Sequence, residues 1–155
     1  MADLDYKLRS GGAIGCDSAF DYLYRSDSEI YLAQEKDKLK FKRPTIVVPF
    51  VEGDEAFEIA ASVHGNWNAC SGYAKMLHRR NVFQVLGAKL DNPSKLLICW
   101  TPCGAESARE CVFSKTGLNT GGTATAIKIA DKFNVPIINI QRNTWKDKIK
   151  DVLNL

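Results

Sequence analysis

The chain has 155 residues, 45% of them hydrophobic and 25% charged, with a net charge of +3 from 21 Lys and Arg against 18 Asp and Glu. That length suits one domain, 1–155, with a real core, and so mild a charge does not by itself argue for nucleic acid. No apolar run approaches the ~20 residues of a membrane span, and the start Met1-Ala2-Asp3-Leu4-Asp5 lacks the basic and apolar regions of a signal peptide, so a cytoplasmic protein with no membrane partner is expected.

In chain order, residues 5–9 read as a first strand, followed by the turn Ser10-Gly11-Gly12-Ala13-Ile14-Gly15 and a helix from about Cys16 to Tyr24. Glu29-Ile30-Tyr31-Leu32 is a short second strand. The lysine-rich stretch Gln34 to Arg43 reads as a solvated loop. Thr45 to Phe50 is β-branched and apolar, a third strand or an extended segment. Gly53-Asp54-Glu55 opens an amphipathic helix that offers Phe57, Ile59, Ala60 and Val63 for burial. After the loop His64 to Asn68 a long helix begins near Ser71, with Met76, Phe83, Leu86 and Leu90 at core-facing spacing. Lys95 to Trp100 is a continuous apolar strand of the doubly buried kind. Residues 102–119 show no clear period and suit a lid or binding loop. The turn Thr120-Gly121-Gly122-Thr123 leads into an alanine-rich helix, Pro136 to Ile140 is the last strand, and Trp145 to Leu153 a closing helix.

This alternation predicts an α/β fold: a single Rossmann-like domain with a mainly parallel central sheet of about five strands and helices on both faces. The two glycine turns are its most telling feature. Glycines between strand and helix let backbone N–H groups approach a ligand, and a helix N-terminus adds positive potential. Gly11, Gly12, Gly15, Gly121 and Gly122 are therefore candidate phosphate or ribose contacts. The hydroxyls of Ser10 and Thr123 either donate to an anion or cap a helix. Asp17 either contacts ribose or base or only compensates a helix dipole. Arg80 carries a planar five-donor fork suited to phosphate. His78 titrates near neutral pH when unperturbed, and Trp67, in a loop, is a better base-stacking candidate than Trp100.

The five cysteines are odd in number and read as reduced thiols. Cys99, Cys103 and Cys111, with Cys70 as a fourth, lack the close pairing of zinc sites, and no metal or cofactor is expected.

Ser10-Gly11-Gly12-Ala13-x-Gly15-x-Asp17 resembles the opening signature of the SLOG superfamily, the Rossmann-like group that joins DNA-processing protein A to the lonely-guy phosphoribohydrolases. Gly121-Gly122-Thr123 before an alanine-rich helix, followed by Val135-Pro136-Ile137, is similar to its second signature. His64-x-x-Trp67, Leu77-His78-x-Arg80-Asn81 and Ile98-Cys99-Trp100-Thr101-Pro102 resemble segments of small phage-encoded DNA-processing-A-like proteins, which implies a host cytoplasm; with Ala13 of the opening signature, Asn81 and Thr101 join the ligand-binding candidates.

Lonely-guy enzymes cleave the N-glycosidic bond of nucleoside monophosphates with an arginine, at whose position Arg80 stands, and a glutamate after their second glycine motif. Here Ile127 and Lys128 occupy that acidic region. Such cleavage uses a carboxylate against an oxocarbenium-like centre, and Asp17 or Glu106 would have to supply it. The resemblance therefore implies a nucleotide-binding domain that senses or sequesters a phosphorylated nucleotide or nucleotide-derived signal, with a homodimer as the expected assembly. The alternatives are a nucleotide N-glycosidase or phosphoribohydrolase, and a single-stranded DNA-binding recombination mediator that uses Lys36, Lys38, Lys40, Lys42 and Arg43.

Overall fold

A computed structural model describes residues 6–23, 28–40, 46–48, 53–113 and 119–154. Among them are strands β1 (Leu8–Ser10), β2 (Ser28–Leu32), β3 (Ile46–Val47), β4 (Leu97–Cys99) and β5 (Ile137–Asn139), and helices α1 (Cys16–Leu23), α2 (Glu55–Val63), α3 (Gly72–Leu86), α4 (Thr123–Lys132) and α5 (Trp145–Leu153). Short 3-10 turns occupy Glu35–Lys40, Trp67–Ala69 and Ala108–Glu110. The expected strand residue Asp5, the helix end Tyr24, and Lys42, Arg43, Thr45, Pro49, Phe50 and 114–118 lie outside the described residues, as do the side chains of Lys38 and Lys40.

Among the described residues every strand pairing is parallel. β1 pairs with β2 (Leu8 opposite Ser28, Ser10 opposite Ile30), β2 with β3 (Tyr31 opposite Ile46), and β4 with β5 (Leu97 opposite Ile137, Cys99 opposite Asn139). The strands form two sheets, β1-β2-β3 and β4-β5, where the sequence pattern predicted one sheet of about five. The break falls between β1 and β4. Both are only three residues long, and Arg9 on β1 donates its Nη1 to the Asn92 carbonyl at 2.6 Å, in the loop ahead of β4.

Local chemistry explains the helix bounds. Asp54 caps α2 by accepting from Phe57 N–H at 2.8 Å, and Ser71 caps α3 by accepting from Ala74 N–H at 3.2 Å. α3 stops at Gly87, whose φ of 81° favours glycine and whose N–H returns to Phe83 O at 2.9 Å. The core lies among β2, α2, α3 and α4, where Tyr31, Ala60, Val82, Leu86, Ile129 and Ala130 are fully or almost fully buried. Tyr31 stacks on Phe83 at 6.1 Å between centroids.

Of the four apolar residues expected on one face of α3, Phe83 and Leu86 are buried and Met76 is half-buried; Leu90 falls beyond the helix, in a left-handed conformation with φ of 61°. The helix also buries the polar Arg79 and Asn81. The Arg79 guanidinium grips Asp54, with Nε 2.9 Å from Oδ1 and 3.1 Å from Oδ2 and Nη2 on Oδ2 as well, so the residue that caps α2 also clamps it to α3.

Candidate functional site

The gap between the two sheets is a cavity of about 620 Å³, walled by β1, the β4 segment and one side of α3 from Ala74 to Val85. Its size falls within the range of small-molecule sites. Both glycine turns open on it, the first through Ser10, Ala13 and Asp17, the second through Gly122 and Thr123; α3 contributes His78, Arg80 and Asn81. Ligands of open parallel sheets bind at such strand ends.

The two turns differ in what their N–H groups already hold. In the first, Asp17 Oδ2 accepts from Gly11 N–H and Ala13 N–H, each at 3.1 Å, while Ser10 Oγ accepts from Gly12 N–H at 3.0 Å. Gly15 N–H goes to Ser18 Oγ at 3.0 Å. The positive φ of Gly12 (64°) makes this concave arrangement, and a carboxylate of the chain itself sits where a bound anion was expected. Asp17 Oδ1 has no hydrogen-bond partner among the described residues.

In the second turn, Gly121 (φ 63°) donates to the Asn119 side chain at 2.9 Å, and Gly122 precedes α4 with no side chain capping the helix. Ala124 N–H and Thr125 N–H turn back to the carbonyls of Gly121 and Gly122 at 3.1 and 3.4 Å, which leaves the N–H groups of Gly122 and Thr123 for an external acceptor.

Arg80 connects α3 to the first turn. Its Nη1 donates to the Gly11 carbonyl at 2.8 Å and its Nη2 to Asn81 Oδ1 at 3.2 Å, while the buried Nε has no partner among the described residues. Burial lowers its pKa most, against the opposing pull of Asp17. Arg80 is thus a strut of the turn as well as a cation on the cavity wall.

His78 pairs through Nδ1 with Thr125 Oγ1 on α4 at 2.8 Å. Burial first, then His64 and Arg80, hold its pKa down at about 4. It is a neutral imidazole at pH 7, which argues against a general acid working near neutrality.

Other expected contacts lie elsewhere. Trp67 does not line the cavity: it packs edge-on against Phe57 at 5.0 Å between centroids, and its Nε1 is buried without a partner among the described residues. Thr101 is 1% exposed and serves the scaffold, its hydroxyl accepting from Asn139 Nδ2 at 2.7 Å and Ala105 N–H at 3.3 Å. Glu106 also lies off the cavity, its buried carboxylate accepting from Asn139 N–H at 2.9 Å and pairing with Lys148 and Arg142. Of the two carboxylates considered for catalysis, only Asp17 faces the cavity. Ile127 is fully buried and Lys128 Nζ donates to Val63 O at 3.1 Å, so α4 places no acidic group in that region.

Trp100, assigned the weaker stacking role, reaches the cavity, as do Tyr6 and Phe20. It is 48% exposed, with its indole N–H donated to Gln141 Oε1 at 3.0 Å. Its place just after the end of β4 was the signal available for it. Gln84 and Arg9 also line the cavity and carry no sequence motif. Comparison with known proteins finds no matching family model, curated protein or solved structure.

Proposed function

We propose that this protein binds a phosphorylated nucleotide in the cavity between its two sheets, as a sensing or sequestering module. The carrying observation is that both glycine turns and Arg80 border one 620 Å³ cavity, which runs along β1 and β4 to the turns that follow them. The phosphate rests on the uncapped N-terminus of α4, where Gly122 and Thr123 offer N–H groups, with Arg80 supplying charge. Asp17 Oδ1 accepts from a sugar hydroxyl, and Trp100 offers a face to the base. The strands are then the two halves of a Rossmann-like sheet opened between β1 and β4, in keeping with the SLOG resemblance, and the ligand spans the opening.

Gly122 gives a clean test. A Cβ built there meets nothing within 4 Å, and its φ of −62° is ordinary for any residue. Gly122→Val therefore leaves the fold intact while its branched side chain covers the N–H groups offered to the phosphate. Calorimetry with nucleoside mono-, di- and triphosphates is expected to show binding to the wild type and at least a tenfold loss in Gly122→Val. Equal affinity of the two proteins removes the phosphate from α4.

The N-glycosidase alternative has Asp17 as its sole carboxylate in the cavity among the described residues, and that group is held by two backbone N–H groups. Chromatography after incubation with nucleoside monophosphates is expected to show intact nucleotide; release of free base would establish the hydrolase.

A further inference from the structure

Away from the turns, three side chains with metal-binding atoms meet where α2 hands the chain to α3. His64 is the C-cap of α2, Cys70 ends the 3-10 turn Trp67–Ala69, and His78 lies in α3. Their ligand atoms all lie within 4.8 Å of one another. The Cys70 sulfur is 3.7 Å from either nitrogen of the His64 ring, and the two imidazole centroids are 4.4 Å apart. We propose that His64, Cys70 and His78 form a binding site for a zinc-class divalent ion, with water in the fourth position.

The donor set suits that ion, which takes imidazole nitrogen at ~2.0–2.1 Å and thiolate sulfur at ~2.3 Å in tetrahedral geometry. Bonds of those lengths leave ligand atoms roughly 3.5 Å apart, so the group needs to close by up to about 1.3 Å. Ligation selects one tautomer of each ring, and the neighbouring contacts accommodate it. Thr125 Oγ1, 2.8 Å from His78 Nδ1, accepts that N–H and leaves the Nε2 lone pair for the metal, the supporting contact metal-bound histidines typically make. His64 Nδ1, which accepts weakly from Asn66 N–H at 3.2 Å, turns its lone pair to the ion. The Cys70 thiol, which leans on Asn66 O at 3.6 Å, loses its proton to solvent and binds as thiolate. Lys128 acts on His64 and Arg80 on His78 as neighbouring cations, so the Cys70 thiolate is the one anionic ligand of the three. The ion would tie the α2–α3 connection to the helix that carries Arg80, and the proposal stands independently of the nucleotide reading.

Cobalt(II) titration of the reduced, metal-stripped protein tests it. One equivalent is expected to give a near-ultraviolet thiolate-to-cobalt charge-transfer band that zinc abolishes. Cys70→Ser should lose the band, and Thr125→Val should weaken binding about 10- to 100-fold through His78. No band at stoichiometric cobalt, or a band that survives Cys70→Ser, overturns the site. The wild-type protein provides a check that needs no variant: zinc should shield Cys70 from iodoacetamide more than Cys16, Cys103 or Cys111, as read by peptide mass spectrometry. Equal labelling of Cys70 with and without zinc overturns it as well.

Discussion

Replacing Gly11 with alanine would place a methyl carbon 2.5 Å from Arg80 Cζ and 2.5 Å from Gln84 Nε2. Gly11 is outside the left-handed region, so the substitution carries no backbone strain and its whole cost is steric. The Gln84 amide makes no side-chain hydrogen bond among the described residues and can turn into the cavity it lines. The Arg80 guanidinium cannot move without breaking its 2.8 Å bond to the Gly11 carbonyl. A hydrogen bond from a charged group contributes about 1.5–3 kcal/mol, and overpacking about 1–3 kcal/mol. The cavity beside the guanidinium keeps both near their low ends, so Gly11→Ala should cost about 2–3 kcal/mol. Arg80→Ala alone loses the same bond but also removes a buried Nε with no partner, and about 1 kcal/mol is expected. In the Arg80→Ala background the new methyl group meets only the Gln84 amide, which can turn aside, so Gly11→Ala should then cost under ~0.5 kcal/mol. Residues in contact depart from additivity by ~0.5–3 kcal/mol, and the predicted coupling is about 2 kcal/mol. Urea unfolding followed by circular dichroism on the four proteins reads it directly. Additivity within ~0.5 kcal/mol would refute the strut assigned to Arg80.

Asp54→Ala should destabilise by about 3 kcal/mol, combining loss of a helix cap (~1 kcal/mol) with an unpaired buried Arg79, discounted because the Asp54 side chain is 27% exposed. The Arg79 hydrogen bonds hold the Asp54 carboxyl below its ordinary range, so its stabilisation is full above that range and lost as pH falls through the lowered native value. Melting temperatures of wild type and Asp54→Ala should therefore converge in acid, and a constant gap down to strong acid would contradict the pairing. Iodoacetamide at pH 8 should label Cys103 far faster than Cys99. Burial pushes the Cys99 thiol up to about 12, whereas at Cys103 the hydrogen bonds from Thr101, Thr120 and nearby N–H groups outweigh desolvation and lower it; comparable rates would undo that contrast. Glu106→Gln should cost about 2 kcal/mol by weakening the contacts to Lys148 and Arg142, yet leave nucleotide affinity unchanged. A selective loss of affinity would return Glu106 to the site.

The sequence by itself determined most of the elements. Period and punctuation marked α2 from Asp54, α3 from Ser71, and α5 from Trp145 to Leu153, because caps, glycine stops and apolar spacing act within a few residues of one another. The parallel α/β class followed from the alternation of short apolar strands with helices. Only the tertiary structure decided how the halves meet. β1 and β4 lie in separate sheets, and Arg9 on β1 reaches Asn92, 83 residues away, a contact that no local pattern encodes. The same holds for the sites. Asp17 was legible as a helix-start carboxylate, but its capture of the first turn's N–H groups depends on the path set by Gly12 and Gly15. Trp67 and Trp100 exchanged their expected places because burial is decided by what packs against an indole, here Phe57 and an open cavity wall. His64, Cys70 and His78 are spaced like no metal motif; they converge because α2 and α3 fold back on one another, and proximity across a helix pair is created by packing.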